Sequence, residues 1–157
     1  MDGVMKVPVL ALVFVCGILT GCGIYAAVSP DPAEIALYTA NAPDPIGPYS
    51  QAVLCGDLLF TSGQIGLDPA TGALPDTVAG ETKQTMENLR AVLREAGLDF
   101  PDVVQTRIYV TDLADFDTVN AVYAAYFEEP YPARSTVEVA ALPKGARVEI
   151  EVVARMR

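Results

Sequence analysis

Residues 147–154 read Arg147-Val148-Glu149-Ile150-Glu151-Val152-Val153-Ala154, and their alternation decides the fold. Val148, Ile150, Val152 and Ala154 fall on one face of an extended chain, and Arg147, Glu149, Glu151 and Val153 on the other. Such a strand lays one face on a core and offers the other to solvent or a partner. Just before it, Leu142-Pro143-Lys144-Gly145 reads as a tight turn joining it to a strand over Thr136–Ala141. Val103–Val110 reads as a further strand.

Two helices are expected between these strands and the N-terminal part of the domain. Asp76–Ala96 carries Val78, Thr82, Met86, Leu89, Val92, Leu93 and Ala96 at spacings of three and four, one apolar stripe. Gly97 and Pro101 end it. Thr111 or Asp112 caps a second helix running to about Phe127, with Leu113, Phe116, Val119, Val122, Tyr123 and Tyr126 as its stripe. Further back, Gln51–Leu54 and Leu58–Thr61 are short strands about Cys55-Gly56-Asp57. The order is β-β-α-β-α-β-β, an α+β fold with two helices on one face of a sheet. Val137, Val139, Val153 and Tyr109 make the second face partly apolar, which points to an oligomer interface.

Composition narrows the chemistry. The chain has 157 residues, no histidine and a formal net charge of −10. So acidic a surface repels phosphate backbones, and nucleic acid is not an expected partner. Without histidine there is no histidine triad or base, and almost no zinc site. Three cysteines without a CxxC pair do not supply one. No metal and no cofactor are expected.

The N-terminus reads as an address. Val7–Thr20 is almost wholly apolar, too short for a comfortable membrane span but long enough for the core of a signal peptide. Leu19-Thr20-Gly21-Cys22 follows, and resembles the lipobox of bacterial lipoproteins. This implies a signal peptide over 1–21, lipidation at Cys22, a tether over 22–42 and one domain over 43–157. The expected location is the periplasmic or cell-surface face of a membrane, anchored through lipid. Asp2, ahead of the single Lys6, is atypical for such a leader; a wrongly assigned start would leave the protein cytoplasmic.

Two charged positions stand where a fold gains little from them. Arg134 follows Tyr131-Pro132-Ala133 at the entrance to a strand, well placed to bind a carboxylate bidentately. From spacing alone, an arginine before a strand is more often a solvated charge or half of a structural ion pair. Glu149 lies mid-strand, two residues before Glu151, so the pair repels unless solvent, a cation or a partner offsets it.

Several separated motifs then occur in order. Gly47-Pro48-Tyr49-Ser50-Gln51-Ala52, Thr61-Ser62-Gly63-Gln64-Ile65, Thr118-Val119-Asn120, Pro132-Ala133-Arg134-Ser135, Leu142-Pro143 and Val148-Glu149-Ile150-Glu151 together resemble the Rid family, also called YjgF/YER057c/UK114. The resemblance runs from about Asn41 to Arg157. It implies a chorismate-mutase-like fold, a homotrimer with a central barrel, and ligand clefts between subunits. It also implies RidA-like hydrolysis of 2-imino acids and their enamine precursors to 2-keto acids and ammonia.

By the same resemblance, Arg134 would clamp the substrate carboxylate, Tyr49 would line the cleft, and Glu149 would position or activate water. Ser62 and Gly63 would form a cleft wall, and Asn120 would lie nearby. Thr136 would line the site where many relatives carry cysteine. The alternative reading is a module that binds small carboxylates such as 2-keto acids without turnover.

Overall fold

A computed structural model of the chain describes residues 34–157. The expected signal peptide, Cys22 and the first part of the tether lie outside these residues. The last part of the tether does not: Glu34–Leu37 forms strand β1. Among the described residues no helix is long and apolar enough to cross a membrane.

β2 (Ala52–Cys55) and β3 (Leu58–Thr61) form the expected hairpin, with Gly56 at φ +61° allowing the two-residue turn. A short β4 (Gln64–Ile65) follows. Helix α1 (Val78–Glu95) starts where Thr77 accepts a hydrogen bond from the Gly80 N–H, and ends before Gly97 at φ +73°. Then come β5 (Val103–Val110), α2 (Phe116–Ala124), β6 (Ala133–Glu138) and β7 (Val148–Arg155). The sheet order is β1-β2-β3-β7-β5-β6, with β4 pairing β7 beyond the end of β3. This is the expected α+β layer with two short strands added.

Three details differ from the sequence reading. The 142–145 turn does not make a hairpin: β5 lies between β6 and β7, pairing parallel with the first and antiparallel with the second. Apolar alternation identifies a strand but not its neighbour. β6 begins at Ala133, so Arg134 lies within it rather than at its entrance. The second helix begins later, because Asp112 caps a separate 3-10 turn over Leu113–Asp115. As a result Leu113 and Phe116, assigned to the buried stripe, are exposed.

The alternation of β7 holds: Val148, Ile150, Val152 and Ala154 are all buried, with Leu59, Met86, Leu89, Leu93 and Ile108 around them. One charge is buried with them. Glu81 of α1 is fully buried; it accepts hydrogen bonds from the Arg147 and Val148 N–H groups and pairs with the Arg147 guanidinium at 3.0 Å. That carboxylate ties the crossover before β7 to helix α1, so the strand carrying Glu149 is anchored at its first residue.

Candidate active site

Strand register places Arg134 opposite Thr106 of β5, and paired residues in a sheet share a face. Thr106 is buried on the helix side, where its hydroxyl is 3.0 Å from that of Tyr123 on α2. The Arg134 side chain therefore rises on the helix side of the edge strand. Its Cζ lies 5.0 Å from the centre of the Tyr123 ring and 5.9 Å from that of Phe116. Among the described residues no carboxylate pairs with it. Beside it opens a groove of about 440 Å³ walled by Asn120, Tyr123, Ala124, Tyr131 and Pro132. Thr136 stands two residues along β6, on the same face as Arg134.

Glu149 faces the other way. It pairs with Tyr109 of β5 and Ile65 of β4, between the buried Val148 and Ile150, so its carboxylate lies on the open face of the sheet. Burial raises its pKa above the ordinary carboxylate value, and the charge of Glu151 adds to the effect. Glu151 has its own cation, Arg107, at 2.6 Å. Nothing among the described residues donates a hydrogen bond to Glu149. Gly63 packs directly on it, and a Cβ there would overlap the carboxylate and force the Glu149 side chain to move.

Tyr49 and Ser62 sit on the segments around Gly63. The Ser62 hydroxyl donates to the Ser50 carbonyl at 2.6 Å, and the Tyr49 hydroxyl accepts from the Ile46 N–H at 3.1 Å. Tyr49 and Gly63 line one small cleft. Gln51 organises this corner and was not foreseen. Its fully buried amide accepts from the Thr39 N–H and donates to the Thr39 and Pro43 carbonyls. A glutamine inside an otherwise apolar strand pattern was the available signal.

The candidate residues thus fall into two groups. Arg134, Asn120 and Thr136 belong to the helix side and the sheet edge; Tyr49, Ser62, Gly63 and Glu149 belong to the open side. Arg134 and Glu149 are three residues apart in register and two strands apart, so their Cα atoms lie roughly 14 Å from each other on opposite faces. Within one chain they cannot both reach a molecule the size of a small amino acid.

A family model described as endoribonuclease L-PSP matches residues 39–156. The 2-iminobutanoate/2-iminopropanoate deaminase of Bos taurus is 53% identical over 117 residues, 74% of this chain and 85% of that protein. The deaminase of the same name from Salmonella typhimurium is 50% identical over 122 residues, 76% of this chain and 95% of that protein. Among solved structures, RidA from an Antarctic Psychrobacter matches with a TM-score of 0.76 and 43% identity, covering 78% of this chain and 99% of that one. Escherichia coli TdcF with bound serine matches with a TM-score of 0.76 and 42% identity, over the same shares.

Proposed function

The chain belongs to the YjgF/Rid family, and we propose that it hydrolyses 2-imino acids, and the enamines that give rise to them, in clefts shared between copies of itself. The observation that carries this reading is Arg134: a guanidinium without a carboxylate partner among the described residues, beside a groove, in a chain half identical to proteins named as imine deaminases. The serine bound to the related TdcF is a small molecule with the same carboxylate and a nitrogen on the neighbouring carbon.

The chemistry needs little machinery. An imine carbon is electrophilic, more so when its nitrogen is protonated. Arg134 binds the carboxylate through charge-assisted hydrogen bonds, each worth about 1.5–3 kcal/mol, and so fixes the imine carbon. Glu149 of a neighbouring copy, when ionised, takes a proton from water as the oxygen attacks that carbon. The C–O bond forms, the C=N double bond becomes single, and a carbinolamine results. Glu149 gives its proton to nitrogen, the C–N bond breaks as the hydroxyl returns a proton to Glu149 and the C=O bond forms, and ammonia leaves a 2-oxo acid. Tyr49 and Gly63 wall the cleft beside Glu149. Asn120 and Thr136 line the approach to Arg134. A net charge of −10 disfavours RNA as the substrate despite the family model's description.

The assembly belongs to the same proposal. Tyr109, Val137, Phe60 and Val153 occupy the uncovered sheet face, in register as the pairs Tyr109–Val137 and Phe60–Val153. A homotrimer that buries this face brings the two residue groups together. Export and lipid anchoring at Cys22 are proposed from the apolar run and the Leu19-Thr20-Gly21-Cys22 motif. Incorporation of a palmitate analogue in a bacterial host, absent from Cys22→Ala, tests them.

The test of activity generates an imino acid with an amino-acid oxidase and traps it with semicarbazide. Faster loss of trappable imine with the protein present supports catalysis. Thermal stabilisation by 2-oxobutanoate without acceleration would make the protein a carboxylate-binding module instead.

A further inference from the structure

We propose that Phe116 and Tyr123 are positioning residues whose ring faces hold the Arg134 guanidinium in place while leaving its N–H donors free for a carboxylate. The inference rests on the clamp role of Arg134 proposed above.

The other arginines show the contrast. Arg90, Arg94, Arg107, Arg147, Arg155 and Arg157 each pair with a carboxylate. Arg134 is the exception among the described residues: like Arg90 it lies over two aromatic rings beside a groove, but Arg90 also pairs with Glu87 and Asp99, whereas no carboxylate pairs with Arg134. An arginine side chain has about 2 kcal/mol of rotamer entropy to lose when it is fixed. A carboxylate partner would fix it, but would also occupy its donors and cancel its charge. A ring face attracts the cation through its quadrupole and takes up none of the in-plane N–H groups. The guanidinium is thus held and still fully available to an anion.

The seat is itself held. Tyr123 is 4% exposed, and its ring centre is 4.5 Å from that of Phe127. Its hydroxyl meets Thr106, the residue whose register partner is Arg134. One strand pairing therefore sets both the root of the arginine and the ring beneath its tip. Phe116, in the first turn of α2, presents the second ring to the guanidinium and is more exposed at 37%. That exposure costs little to the core and is explained if the ring serves the arginine.

The test is Phe116→Leu, which keeps apolar bulk and removes the π face without emptying the core. KM for the imino acid and the dissociation constant for 2-oxobutanoate should both rise about five-fold, the equivalent of roughly 1 kcal/mol of cation–π attraction. kcat should stay within about two-fold, because binding is lost equally in the ground and transition states. Phe116→Trp should restore KM. An unchanged KM in Phe116→Leu, or a KM raised equally in Phe116→Trp, would overturn the proposal. NMR provides a readout independent of turnover. The Arg134 side-chain protons, assigned by their loss in Arg134→Lys, should be shifted upfield by the rings and should move back in Phe116→Leu. Ordinary Arg134 shifts in the wild-type protein would remove the seat whatever the activity. Shifted signals in a protein that hydrolyses no imine would instead keep the seat and remove the enzymatic reading.

Discussion

At the residue scale, two charges, Arg134 and Glu149, have no ion-pair partner among the described residues. Arg134→Ala should lower kcat/KM for imine hydrolysis by at least about 100-fold, since two charge-assisted hydrogen bonds go with it. Its melting temperature should fall by only about 2–6 °C, because no ion pair among the described residues is lost and only the contacts with the Phe116 and Tyr123 rings go with the guanidinium. Glu149 makes a prediction about pH. Its pKa in the folded chain lies above the ordinary 4.5, mainly through burial. The folded state therefore binds that proton more tightly than the unfolded one. The resulting stability is present below the unfolded pKa and is lost as pH rises through the folded pKa. Glu149→Gln should accordingly melt higher than the wild type at pH 7, and the gap should shrink as pH falls to 4. The same variant should be inactive at both values, whereas the wild-type rate should rise with pH through the raised pKa. A melting difference that ignores pH would argue against the burial of this carboxylate.

At the scale of elements, the buried Glu81 fastens the crossover before β7 to α1. Glu81→Ala should cost about 3–5 kcal/mol, seen as a lowered denaturation midpoint, because Arg147 and two N–H groups lose their shared acceptor. A loss below 1 kcal/mol would mean that water replaces it. The case also shows where the sequence was legible. The stripe of α1 and the alternation of β7 could be read directly, because repeated burial leaves a period in the residue types. Glu81 could not, since a carboxylate on the inner side of a helix looks the same in sequence as a solvated one until Arg147 is brought beside it. The placement of β6 was likewise hidden. Its residues read as a strand, but the choice between a hairpin with β7 and a parallel pairing with β5 depends on how α2 packs across the sheet. Arg134 was recognisable as a candidate clamp, whereas the rings of Phe116 and Tyr123 read only as a helix stripe. Phe116 left that stripe because Asp112 caps a 3-10 turn ahead of the helix.

At the scale of the whole molecule, the two groups of candidate residues face opposite ways on one chain. The uncovered sheet face, with Phe60 and Val137 each 45% exposed, is the surface on which copies should meet. Light scattering should give the mass of three chains, and Val137→Asp should reduce that mass and abolish hydrolysis while Arg134 and Glu149 stay intact. The most direct test of the shared site mixes two inactive proteins. Arg134→Ala and Glu149→Gln, unfolded together in equal amounts and refolded, would form trimers in which some clefts take an intact Arg134 from one copy and an intact Glu149 from its neighbour. Random assortment makes about a quarter of the clefts complete, so about a quarter of the wild-type rate should return. If the mixture reassembles into trimers and stays as inactive as either variant alone, the two residues do not act on one substrate across a subunit boundary.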